Sequence, residues 1–150
     1  MRPRYETPED LNREKAVALL LEGHFGAEAV KLPESYRVDY AYFSRGRNPT
    51  PVAFCEIKCR NRAYDQYPTM VLSQSKWDVL VKLAKDRWVP VHFATQLLDG
   101  LYLMTCRDVP YDVVVGGRTV DTRDEWDIEP VVLIPMTEFK KVDGHGGGGP

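Results

Sequence analysis

Residues 35–59 read SYRVDYAYF, SRGRNPTP and VAFCEIKC in succession. The first piece, Ser35 to Phe43, has the aromatic and β-branched content of a strand. The second, Ser44 to Pro51, carries glycine, asparagine and two prolines and reads as a turn. The third, Val52 to Cys59, is the returning strand of a hairpin. Side chains alternate faces along it, so Phe54, Glu56 and Lys58 share one face while Ala53, Cys55, Ile57 and Cys59 share the other. One side is expected to pack on a core and the other to present the paired charges.

Working outward, Pro8 to His24 is predicted to be a helix. Thr7 is its cap candidate, Pro8 suits the first turn, and Glu9 and Asp10 suit the positive helix end. Val17, Leu20, Leu21 and Phe25 give its apolar stripe, Gly23 and Gly26 mark the exit, and Val30 to Leu32 begins a first strand. Downstream, 61–69 is polar and Ser73 to Asp86 is a second helix, with Ser73 as N-cap and Trp77, Leu80, Val81 and Ala84 as its buried stripe. Val91 to Leu98 and Leu101 to Cys106 flank the hairpin signal Asp99-Gly100. Gly116-Gly117 marks another hairpin, between Asp112–Val115 and Arg118–Asp121, and Val131 to Pro135 is a last short strand. The expected architecture is α+β, layered on a central mixed sheet with extra C-terminal β-hairpins.

The chain has 150 residues, 43% of them hydrophobic and 28% charged, which suits one soluble globular domain and excludes a disordered or fibrous chain. A single domain over 1–143 is expected, with its core over about 8–106, a β extension over 107–138 and a flexible glycine-rich tail over 144–150. The longest apolar run, Ala16 to Leu21, falls far short of a bilayer span, and no apolar stretch follows the arginines of MRPRYETPED. Three cysteines without a Cys-x-x-Cys pair fit a reduced, cytoplasmic protein with no structural zinc and no membrane partner. The net charge of −2 argues against coating nucleic acid by bulk electrostatics. Residues 31–90, however, hold 11 basic and 6 acidic side chains, whereas 91–150 hold 5 and 10.

Inside the basic segment lie Asp39 and Glu56-Ile57-Lys58. Two carboxylates on neighbouring hairpin strands can converge on one divalent cation, and oxygen ligands of that kind suit Mg²⁺, with Mn²⁺ as a substitute. Such an ion lowers the pKa of a bound water and neutralises charge on a phosphate, while Lys58 on the same face can orient the water or stabilise the phosphorus centre. The Ile57 carbonyl points near the metal in such an arrangement.

On these residues the sequence resembles the PD-(D/E)xK nuclease superfamily, which includes restriction endonucleases, Holliday-junction resolvases and phage exonucleases. Its α-β-β-β-α-β core matches the order from Pro8 to Leu98. The superfamily's Asp matches Asp39, preceded by Val38 where a proline often stands, and its (D/E)xK matches Glu56-Ile57-Lys58. The resemblance implies a Mg²⁺-dependent deoxyribonuclease with Asp39, Glu56 and Lys58 as catalytic residues. The metal would be held by Asp39, Glu56 and the Ile57 carbonyl, joined by an acid on the first helix. Glu14 is the best match for that acid and Glu22 its rival. A polar residue after the third strand, Gln74 or Lys76, would assist.

Arg45 and Arg47 in the turn, and Arg60 and Arg62 past the third strand, are candidates to grip phosphates. DNA, branched or end-containing forms included, is the expected partner, and cutting two strands of a junction would require a homodimer. The competing readings are a nucleic-acid-binding or assembly module that keeps the core without catalysis, and a protein-interaction module using the acidic C-terminal third. Cys55 and Cys59 fall on the apolar face as small core residues. His24, His92 and His145 show no ligand spacing. Tyr64, Tyr67 and Trp88 read as packing aromatics rather than base-stacking platforms.

Overall fold

The computed structural model describes residues 7–86, 89–115 and 129–142. Helix α1, Pro8–Phe25, is set by a reciprocal cap. The Thr7 hydroxyl accepts from the Asp10 amide and the Asp10 carboxylate accepts from the Thr7 amide, each at 3.1 Å, satisfying donors the first turn leaves open. It ends at Gly26, whose φ of 64° favours glycine and whose amide donates to the Glu22 carbonyl. The Glu22 carboxylate then accepts from the Ala29 amide at 2.8 Å, joining the helix to β1, Glu28–Lys31. Strands β2, Tyr40–Phe43, and β3, Pro51–Cys59, complete an antiparallel meander.

The predicted strand over Ser35–Phe43 is shorter than its composition suggested. Glu34–Tyr36 form a 3₁₀ turn, and Arg37 takes the left-handed conformation at φ 64°, so only the last four residues are extended. The turn is closed by Tyr36 and Arg37 amides donating to the Pro33 and Glu34 carbonyls. It delivers a buried Val38 and then Asp39 to the mouth of β2.

Beyond β3 the chain forms β4, Thr69–Ser73, and helix α2, Gln74–Asp86. Strand β4 was not anticipated, although Met70 and Leu72 are buried on either side of an exposed Val71, a period-two pattern. Ser73 acts as the expected cap, its hydroxyl accepting from the Lys76 amide at 3.2 Å. The chain continues through β5, Val91–Leu97, β6, Gly100–Thr105, β7, Asp112–Val115, β8, Pro130–Pro135, and β9, Lys140–Lys141. The main sheet has the order β1-β2-β3-β5-β6-β9 and is mixed, because β3 and β5 run parallel. Of the C-terminal strands, β9 extends it along β6, whereas β7 and β8 do not. Strand β8 pairs with β4 and β7 in a separate antiparallel sheet of order β4-β8-β7. The second strand of the predicted Gly116-Gly117 hairpin, Trp88 and the 144–150 tail lie outside the described residues.

A parallel pair needs a crossover, and here β4 and α2 form it, covering one face of the main sheet. On that face Trp77 and Leu80 of α2 pack with Phe93, Tyr102 and Met104 and with Met70, Leu72, Val132 and Ile134 of the second sheet. On the other face Val17, Ala18 and Leu21 of α1 pack on Ala53, Cys55, Ile57 and Leu103. Leu20, expected in that stripe, is 46% exposed, and Glu14 takes the inward place instead. Both faces of β3 are thus covered, so the face that presents the paired charges lies beneath α2 rather than at the surface. Among the described residues no helix is long and apolar enough to cross a membrane.

Arg62 is the clearest departure from its expected role as a phosphate contact. It is buried, and its guanidinium donates to the carbonyls of Ala63, Thr69, Tyr64 and Tyr67 at 2.7–3.0 Å. The arginine closes the 62–69 loop and spends four of its five donors there. Arg62→Ala should lower stability by about 3 kcal/mol, because buried carbonyls lose charged donors. Urea unfolding measures that loss.

Candidate active site

Strand β2 begins one residue after Asp39, and β3 runs on past it. Tyr40 pairs with Cys55, so the Ile57 amide has no β2 carbonyl to meet. The Asp39 carboxylate fills that place, Oδ2 accepting from the Ile57 amide at 2.9 Å, and the side chain thereby extends the ladder. Backbone groups alternate direction along a strand. The Phe54 amide donates toward the β5 side, to the Pro90 carbonyl, so Ile57 directs its carbonyl to the Asp39 side.

Glu56 points from β3 to the face covered by α2 and is 1% exposed. Lys58 Nζ stands 3.5 Å from its Oε2, and Lys76 Nζ stands 3.4 Å from Oε1 while donating to the Arg37 carbonyl at 2.5 Å. Oε1 itself is buried and makes no hydrogen bond. Burial and then the nearby Asp39 charge push the Glu56 carboxyl above its ordinary range, while Lys58 and Lys76 pull it back. Thr95, opposite Lys58 in the parallel register, is fully buried with its hydroxyl unbonded. A buried strand threonine carries no sequence signal that separates it from core.

Glu14 arrives from α1 on the opposite side of the sheet. Lys31 links it to the rest, with Nζ 3.8 Å from a Glu14 oxygen and 3.6 Å from Asp39 Oδ1. Sequence reasoning passed over Lys31, which lay in a strand judged only by its apolar neighbours. The rival acid Glu22 is committed to the Ala29 amide.

The remaining candidates separate by position. Arg45 and Arg47 sit in the turn before Pro51, whereas the carboxylates lie near Ile57. Six strand residues, about 20 Å, divide the two ends, so the turn arginines do not stand beside the carboxylates. Arg45 instead faces Glu28 at 3.9 Å and the Ala27 carbonyl. Arg60 follows Lys58 at the carboxylate end and is exposed, while Gln74 opens α2 and is half-buried. Burial raises the thiols of Cys55, Cys59 and Cys106, the last to about 12, which leaves them protonated and poor nucleophiles. Tyr64 stacks on Tyr102 with centroids 4.7 Å apart and donates to the Met136 carbonyl, a packing role as expected.

Among the described residues no three acidic, histidine or cysteine side chains gather into a ligand group. Two carboxylates and a carbonyl are nevertheless hard oxygen donors of the kind a small divalent ion takes, with water completing its shell. The Oε1 of Glu56, buried without a hydrogen bond and 3.4 Å from the Lys76 ammonium, fits such a guest.

No curated protein matches the chain significantly. Among solved structures it is similar to Hjc, a Holliday junction resolvase of Archaeoglobus fulgidus. The two share 17% identity with a TM-score of 0.47, over 63% of this chain and 76% of that one. The family described as "Phage putative PDDEXK endonuclease" matches residues 1–142, a span that holds Asp39, Glu56, Ile57 and Lys58. By that match, over nearly its whole length, the chain belongs to the phage PDDEXK endonuclease family.

Proposed function

We propose that the chain is a cytoplasmic, metal-dependent deoxyribonuclease that hydrolyses phosphodiester bonds, with Mg²⁺ as its ion and Mn²⁺ as a substitute. The observation that supports this most is Glu56, a carboxylate buried to 1% exposure with an unbonded oxygen and two lysines trained on it. A buried acid so surrounded is poorly explained by stability, since such groups are costly to desolvate. Asp39, Glu56 and the Ile57 carbonyl would hold the ion, and Glu14 would act in its outer shell. When bound, the ion supplies an acidified water and positive charge against the phosphate.

The chain's own residues do the rest. The Asp39–Ile57 hydrogen bond fixes the first carboxylate against the strand bearing the second, so the pair is preorganised. Lys58, 32% exposed at its side chain, can leave Glu56 Oε2 to hold the attacking water or to stabilise charge on the phosphorus oxygens. Lys76, tied to the Arg37 carbonyl, keeps the turn that presents Asp39 in register with Glu56. Arg60 and Gln74 at the same end of the strand are the proposed phosphate contacts. A homodimer is the arrangement we propose for cutting both strands of branched DNA.

Wild type and Lys58→Ala incubated with linear, circular, single-stranded and branched DNA, with Mg²⁺, Mn²⁺ or chelator, test the proposal. Cleavage should need metal and should fall by about a hundredfold or more in the variant, at unchanged melting temperature. A variant that cuts as fast as wild type overturns the mechanism. DNA binding without products under any metal condition indicates the non-catalytic module.

The raised Glu56 carboxyl sets a second expectation. A group that holds its proton more tightly folded than unfolded makes stability fall as pH climbs from the ordinary glutamate range into the raised one. In chelator, Glu56→Gln should remove that part of the slope, read by urea unfolding at several pH values.

A further inference from the structure

We propose that the site takes one divalent cation per chain, and that the Lys31 ammonium is its built-in second cation, holding Glu14 against Asp39. The inference rests on the reading of Asp39 and Glu56 as metal ligands.

Lys31 lies between the two carboxylates, at 3.8 Å from Glu14 and 3.6 Å from Asp39. Three features keep it there. Its backbone is paired with Tyr40 in the β1–β2 ladder, and the next amide, of Leu32, donates to the Asp39 carbonyl at 2.9 Å. Its ammonium also sits 5.1 Å from the centroid of the Tyr40 ring, an attractive cation–π placement. Glu14 and Asp39 both act electrostatically on the Tyr40 hydroxyl, so all four side chains share one neighbourhood. Glu14 is itself buried, and its interaction with Lys31 is present whether or not a metal is bound.

A second metal ion between Glu14 and Asp39 would meet this ammonium. An ion there must displace the ammonium from both carboxylates at once, whereas Lys58 and Lys76 each face a single oxygen of Glu56. Glu14 therefore acts on the metal through Lys31 and Asp39: it is a positioning residue rather than a ligand.

The test counts Mn²⁺ bound to the DNA-free protein, from the EPR signal of the free ion. Wild type and Lys31→Arg should each bind one ion, whereas Lys31→Met should bind two. Glu14→Gln should keep one ion with affinity within a few-fold of wild type, a readout that stands even where Lys31→Met does not fold. Two ions in wild type, one unchanged ion in folded Lys31→Met, or a tenfold or greater loss of affinity in Glu14→Gln each overturn the inference. No ion bound by folded wild type overturns the metal reading itself, and this inference with it.

Discussion

An ionised carboxylate taken out of water costs several kcal/mol unless cations come with it, and Glu56 is such a group. Its compensation dictates much of the surrounding structure. Lys58 reaches it from the same strand, but Lys76 comes from α2, and that helix stands over Glu56 only because β3 and β5 are parallel and need a crossover on that face. The parallel pair, the crossover helix and the buried acid form one arrangement. Lys76 carries the constraint further, since its bond to the Arg37 carbonyl ties the same ammonium to the turn that presents Asp39.

The basic segment over 31–90 takes on a different meaning in three dimensions. Lys31, Lys58 and Lys76 face site carboxylates, Arg62 is consumed by loop carbonyls, and Lys85 pairs with Asp108 at 3.2 Å. Much of the positive charge that looked like a nucleic-acid footprint is internal neutralisation. The acidic C-terminal third is partly committed in the same way. Arg107 and Tyr111, ahead of β7, both bond Glu138, beyond β8, at 3.0 Å.

The hairpin, both helices and the shared face of Glu56 and Lys58 were legible because they are local: caps, turns and strand alternation act within a few residues. Glu14 was legible because helical spacing sets it on the same inward face as Val17 and Ala18. What escaped depends on partners distant in sequence. Strand β4 exists because β8 pairs with it, about sixty residues on. Arg62 looks like any surface arginine until the loop folds around it, and Lys31 gains its place only once α1 docks beside β1. The aromatic run at 35–43 misled because composition does not reveal the left-handed residue at Arg37 that interrupts it.

The crossover also sets an order of assembly. The β2–β3 hairpin closes a short loop, so Asp39, Glu56 and Lys58 come together early and cheaply. Strand β5 must return across about thirty residues before it pairs with β3, a slower event by its loop length. Lys76 rides on that returning segment. A chain still leaving the ribosome therefore carries its two hairpin carboxylates in water, without the helix that covers them, and the site is finished only when the sheet is.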